Sequence, residues 1–214
     1  MAPLAVLFDY SGTLFRLNED DRWFTGMDLD AGQRAEVMDR MTHPTADITH
    51  HAWPQRDLDP VLHREAYLHV LQISGLGDEH AETLYQRVID PAHWTPYPDT
   101  APVLRGLRDR GVRTAVVSNI AWDIRQTFAD LDADPDDFVL SFEVGAVKPD
   151  PRIFETALNR LGVDASDTLM VGDSEENDGG ARELGIGFAL VDPLHTDQRP
   201  TGLVDALREH GLVL

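Results

Sequence analysis

Apolar residues in this chain follow two alternating patterns. Short runs rich in apolar residues occur at 4–8 (LAVLF), 112–117 (VRTAVV), 138–142 (FVLSF), 168–171 (TLMV) and 186–191 (IGFALV). Such runs, bounded by turn-forming residues, predict strands buried on both faces, as in a parallel sheet. Helical spacing separates them. Residues 99–110 place Val103, Leu104 and Leu107 on one face before Gly111. Residues 151–161 do the same with Ile153, Phe154, Ala157, Leu158 and Leu161 before Gly162. Glycine just past the last periodic residue is a helix stop. The alternation predicts an α/β fold built on a doubly wound parallel sheet.

Residues 15–97 break this rhythm. They show no strand pattern, and helical periodicity appears around 33–41, 60–73 and 79–89, broken by Gly75, Gly77, Pro91 and Pro96. The stretch reads as a helical insertion between the first and second strands of the sheet. The expected division is therefore 1–14 with 98–214 as the α/β core, and 15–97 as a helical domain.

Composition removes several function classes. The 214 residues carry 18 basic and 38 acidic side chains, a formal charge of −20. Such a surface repels nucleic acid and anionic membranes, so neither is expected as a partner. The absence of cysteine excludes disulfides, thiolate metal sites and cysteine nucleophiles. No basic-then-apolar signal segment opens the chain and no apolar run reaches membrane-spanning length, so a cytoplasmic protein is expected. Asp130, Asp132 and Asp134 alternate like the start of a calcium loop. Pro135 and Ser141 stand where glycine and glutamate are needed, so the segment reads as a solvated loop.

Four polar groups follow apolar strands: Asp9, Ser118 with Asn119, Lys148, and Asp173. In a parallel sheet they share the rim beyond the carboxyl ends of the strands, where open α/β folds bind ligands. Lys148 is the chain's sole lysine, and beside an acid it is expected to serve charge rather than packing.

These segments resemble the motifs of the haloacid dehalogenase superfamily. Asp9-Tyr10-Ser11-Gly12-Thr13-Leu14 resembles its first motif, and Val117-Ser118-Asn119 its second. Lys148-Pro149-Asp150-Pro151 with Ile153-Phe154 resembles the third, and Gly172-Asp173-Ser174-Glu175-Glu176-Asn177-Asp178 the fourth. The resemblance spans the chain and implies a Rossmann-like core, with 15–97 as the family's helical cap. It implies that Asp9 attacks phosphorus to form an aspartyl-phosphate. It implies Mg2+ held by Asp9, Asp173 and the Ser11 carbonyl, with Asp178 a ligand or an acceptor for metal-bound water. Ser118 would bind a phosphoryl oxygen, with Asn119 beside it on the substrate side. Lys148 would neutralise the transferred group and hold Asp9. Thr13 would fix the nucleophile loop against the substrate, and Gly12 would let the chain turn. The implied partner is a small phosphorylated metabolite.

One position departs from the pattern. The family's phosphatases carry a second aspartate two residues after the nucleophile, as acid and base; here it is Ser11. A hydroxyl is too weak an acid for that role, which contributes roughly 10²–10⁴-fold. A phosphohydrolase with a restricted substrate or an acid from the cap is one reading. Haloacid dehalogenation is another, although those enzymes use no metal and lack the Gly-Asp pair present here as Gly172-Asp173. A fold that binds a phosphorylated ligand without turnover is a third. Phosphonate cleavage needs a cap lysine, and 15–97 has none. Within the cap, Arg16, Arg22 and Arg56 are candidates to clamp an anionic substrate. Trp23, Phe24 and Trp53 are expected to bury against the sheet rather than line a pocket. His43, His50 and His51 read as exposed residues rather than a second metal site.

Overall fold

A computed structural model describes residues 2–17, 21–42 and 50–214. In chain order its elements are β1 (Ala5–Phe8), β2 (Phe15–Leu17), α1 (Ala31–Thr42), α2 (Pro60–Ile73), α3 (Asp78–Ile89), β3 (Trp94–Pro96) and α4 (Thr100–Asp109). Then follow β4 (Arg113–Ser118), β5 (Asp137–Leu140), α5 (Ser141–Val144), α6 (Pro151–Leu161), β6 (Thr168–Gly172), β7 (Gly187–Leu190) and α7 (Gly202–Glu209). Five strands form one sheet in the order β5-β4-β1-β6-β7, and every neighbouring pair is parallel. The α/β expectation therefore holds. No helix among the described residues is long and apolar enough to cross a membrane.

The sheet explains the apolar-rich runs. Side chains alternate between faces, and both faces of β1 are covered. Val6 and Phe8 join one core with Val103 and Leu107 of α4 and Leu203 and Leu207 of α7. Ala5 and Leu7 join the other with Ile153, Phe154 and Ala157 of α6. The start of α6 is fixed locally. Asp150 Oδ1 accepts from Arg152 N (3.0 Å) and Pro151 sits at the first helical position.

The segment between β2 and β3 has its own core, built from Trp23, Phe24, Val37, Leu71, Leu84 and Val88. Here the expectation for Trp23 and Phe24 is corrected: they bury among the inserted helices and not against the sheet, because those helices form an apolar cluster of their own. Trp53 is partly buried against that same cluster. A second correction concerns the ends of the insertion. Phe15, Arg16 and Leu17 pair antiparallel with Pro96, Thr95 and Trp94, a two-stranded stem that three-residue strands give no periodicity to reveal. The run at 138–142 also ends earlier than expected, since Ser141 already begins α5.

His63 of α2 is buried beside Tyr67, with ring centroids 4.2 Å apart, and its Nδ1 lies 3.2 Å from the Tyr85 hydroxyl. Burial, helped by the charge of Arg56, pushes its pKa down to about 3 from 6.5. Between those values the unfolded chain takes up a proton that the folded chain refuses. This contribution to stability is therefore complete above pH 6.5 and drains away as pH falls towards 3. Thermal melts of wild type and His63→Phe from neutral pH downwards should show a steeper loss in wild type. Parallel curves would contradict this.

Candidate active site

The carboxyl ends of β1, β4 and β6, with the loop before α6, bring the chemistry together. Asp9 follows β1 directly, and its backbone N donates to Val171 O of β6 (2.9 Å). The chain then turns sharply. Leu14 N and Phe15 N both donate to Tyr10 O, and Gly12 N donates to Phe15 O (2.8 Å). Gly12 has φ +74°, and a Cβ there would lie 2.3 Å from Asp173 Oδ2. Glycine is required by both backbone conformation and the close approach of that carboxylate.

Lys148 is 3% exposed and lies between two acids. Its Nζ donates to Asp9 Oδ1 at 2.7 Å and to Asp178 Oδ1 at 2.6 Å. Burial works against its charge, but Asp178 and Asp9 outweigh that and raise its pKa above the usual lysine range. The expectation that Lys148 serves charge and not packing is too narrow, because the ammonium is a buried structural link as well.

Asn119 secures this lysine from the end of β4. Its Nδ2 donates to Lys148 O (3.0 Å) and its Oδ1 accepts from Lys148 N (2.6 Å). Both functions of the amide are thus engaged with the lysine backbone. Ser118, the last residue of β4, is buried and lines the cavity above the site.

Asp178 completes the cluster. Its second oxygen accepts from Ser174 N (3.0 Å). Gly172 makes room for it, since a Cβ at that position would stand 2.1 Å from Asp178 Oδ2. Carboxylate oxygens of Asp9, Asp173 and Asp178 all lie within 4.8 Å of one another. Burial, followed by the charges of Asp9 and Asp178, pushes the Asp173 carboxyl up to about 8. Asp178 is raised too, chiefly by burial and against the pull of Lys148. Three acids share one ammonium, a deficit that a divalent cation cancels, and the donors are the hard oxygens that Mg2+ prefers. Among the described residues no other group of three potential metal ligands converges. His50 and His51 form none, and His43 lies outside the described residues.

Arg199 was not foreseen from the sequence. Its Nη1 donates to Gly12 O (2.8 Å) and Asp192 O (3.1 Å), its Nη2 donates to Thr13 O, and its guanidinium stacks 3.2 Å from the Tyr97 ring centroid. Thr100 Oγ1 and Tyr97 N both bond Leu14 O. The loop after Asp9 is thus gripped through its carbonyls. The Thr13 hydroxyl is buried and finds no hydrogen-bond partner, so the loop's fixation comes from Arg199, Thr100 and Tyr97.

A cavity of about 780 Å³ opens over the cluster, a size suited to a small metabolite. Its floor includes Asp9, Ser11, Ser118, Lys148 and Asp173; its roof includes Met38, Arg56, Asp57 and Tyr67 from the insertion. Arg16 also lines it, with Nη1 donating to Pro193 O (2.6 Å). The Arg22 side chain lies outside the described residues.

A model of the haloacid dehalogenase-like hydrolases matches residues 3–185. The chain is 31% identical over 227 aligned residues to a Mycobacterium tuberculosis protein named Phosphatase MT3486, covering 100% of this chain and 98% of that protein. It is 35% identical over 136 residues to haloacid dehalogenase-like hydrolase domain-containing protein 3 of Mus musculus, covering 60% of this chain and 54% of that protein. The chain spans about half the length of the curated relatives of that type from mouse and cattle. Among solved structures, a dehalogenase with an intermediate complex superposes with TM-score 0.70 at 24% identity, covering 89% and 85% of the two chains. A family enzyme from Bacteroides thetaiotaomicron, in complex with magnesium and inorganic phosphate, gives 0.58 at 18%, covering 88% and 94%. At those identities the likeness concerns the fold. The chain belongs to the haloacid dehalogenase-like hydrolase family.

Proposed function

We propose that this protein is a Mg2+-dependent phosphohydrolase acting on a small phosphorylated metabolite through an aspartyl-phosphate on Asp9, with 15–97 as its cap domain. The observation that carries this reading is the convergence of three carboxylates, of which Asp9 and Asp178 pair with the one ammonium and Asp173 does not. Asp9, Asp173 and the Ser11 carbonyl would hold the ion. Asp178, whose two oxygens already serve Lys148 and Ser174, would act from behind. When bound, the ion screens the repulsion between a carboxylate nucleophile and a phosphate dianion.

The chain's own residues supply the rest. Lys148 holds Asp9 through Oδ1 and places positive charge beside the transferred group. The Ser118 hydroxyl donates to a phosphoryl oxygen. Arg199 and Gly12 fix the loop so that Asp9 needs no reorganisation before attack. The inserted helices roof the cavity and would shield a bound substrate from bulk water on closing.

Dehalogenation fits less well, because a haloacid carboxylate would enter a cluster with an excess of negative charge. The separating test is turnover of a phosphoester and of a 2-haloacid, each with Mg2+ and with chelator. The expected result is phosphate release that stops with chelator, and no halide release. Halide release insensitive to chelator would overturn the reading.

A further inference from the structure

Ser11 leaves the reaction without its acid, yet the roof of the same cavity carries a carboxyl group. Asp57 lies in the short helical turn before α2 and lines the cavity together with Asp9, Ser11 and Lys148. Its side chain is 14% exposed. It is tied to the core next to the catalytic rim. The buried Ser141 hydroxyl accepts from Ile120 N (2.8 Å) and lies 2.5 Å from Asp57 O and 3.0 Å from Ile120 O. Ile120 directly follows Ser118 and Asn119, so Asp57 is registered against the strand end that holds the phosphoryl group.

We propose that Asp57 is the general acid and base of this enzyme, supplied from the inserted helices in place of the carboxyl group missing at residue 11. The assignment rests on the phosphohydrolase reading above. In the first step an Asp9 oxygen bonds to phosphorus, the bond from phosphorus to the leaving oxygen breaks, and the Asp57 carboxyl proton passes to that oxygen. In the second, a water oxygen bonds to phosphorus, the bond from phosphorus to the Asp9 oxygen breaks, and the water's proton passes to the Asp57 carboxylate. Inorganic phosphate leaves, and Asp9 and the protonated Asp57 are restored.

The surroundings suit a carboxyl that must begin protonated. Burial raises its pKa, while Arg56, 3.3 Å away, and Lys148 pull the other way. Among the described residues of the inserted helices, Tyr67 and His63 are the other titratable groups that line the cavity. Arg56 is itself held by the Trp53 carbonyl (3.0 Å) and stacks on the Trp53 ring, so it is not committed to Asp57 alone.

The test compares kcat/KM on an alkyl phosphate and on p-nitrophenyl phosphate, with Mg2+, for wild type, Asp57→Asn and Asp57→Asn/Ser11→Asp. A lost acid should cost about 10²-fold on the alkyl ester and only a few-fold on the aryl ester, whose leaving group hardly needs a proton. The double variant should regain at least about 10-fold on the alkyl ester, because it restores a carboxyl near the leaving oxygen. The aryl activity reports that the variant is folded. Equal losses on both esters, or none on either, would overturn the assignment and leave Asp57 a partner of Arg56. Wild type inactive on both esters would remove the phosphohydrolase reading itself, and this assignment with it.

Discussion

Lys148→Met is expected to lower kcat by at least about 10²-fold and to destabilise the protein in the absence of divalent cation. The first effect follows from losing the positive charge paired with Asp9, which in the proposed mechanism would also face the transferred group. The second follows from burial. Lys148 bonds Asp9 and Asp178 at 2.7 and 2.6 Å with almost no solvent contact, and breaking a buried pair by removing one partner costs about 3–5 kcal/mol. Part of that cost is recovered if the cluster takes up a proton. Mg2+ should also restore part of the lost melting temperature, since it supplies positive charge to the same carboxylates, but it should not restore kcat. Thermal melts and turnover, each with and without Mg2+, separate the two effects. An inactive variant with an unchanged melting temperature in chelator would show that the ion pairs contribute nothing to stability.

Asp173→Asn is expected to have the opposite sign on stability and an equally large effect on the metal. In the metal-free protein the Asp173 carboxyl is raised from 3.8 to about 8 by burial and by its acidic neighbours. A raised folded pKa means that its favourable contribution is complete below pH 3.8 and is lost as pH rises through about 8. Replacing the carboxyl by an amide removes that loss, so metal-free Asp173→Asn should melt higher than wild type in alkaline buffer. Its Mg2+ affinity should fall by more than about 100-fold, beyond the 10- to 100-fold typical of a partner behind the ligands. Asp178→Asn should stay within that smaller range, because its oxygens are occupied by Lys148 and Ser174 N. Calorimetric titration of the three proteins measures this directly. Equal affinity in wild type and Asp173→Asn would remove Asp173 from the metal site.

The parts of this molecule that the sequence announces are those where one local pattern meets one physical demand. Residues 5–8 are apolar throughout because β1 is covered on both faces. The acids after β1 and β6 stand out because they occur in order with Ser118 and Lys148 at one rim, where a lone acid would read as a turn or helix cap. Long-range partners leave no such trace. The stem joins Phe15–Leu17 to Trp94–Pro96, strands too short for any period to show. Arg199 sits in a stretch without apolar rhythm, and its role exists only because the chain returns it under Gly12 and Thr13. Thr13 fits the role of clamp for its own loop by sequence, yet its hydroxyl is unpartnered while its carbonyl is gripped by Arg199. Asn119 lines the cavity, and both its amide atoms bond the Lys148 backbone, a pairing across 29 residues that no local pattern announces.

Attack of Asp9 on phosphorus is the central step of the proposed mechanism. Rapid acid quench during turnover of p-nitrophenyl phosphate with Mg2+, followed by mass mapping of the denatured protein, tests this most directly. The predicted result is one phosphoryl group on the peptide containing Asp9, labile to hydroxylamine as an acyl phosphate must be, and absent from Asp9→Asn. Steady phosphate release with no phosphoryl group on that peptide at any quench time, or with turnover undiminished in Asp9→Asn, would contradict it.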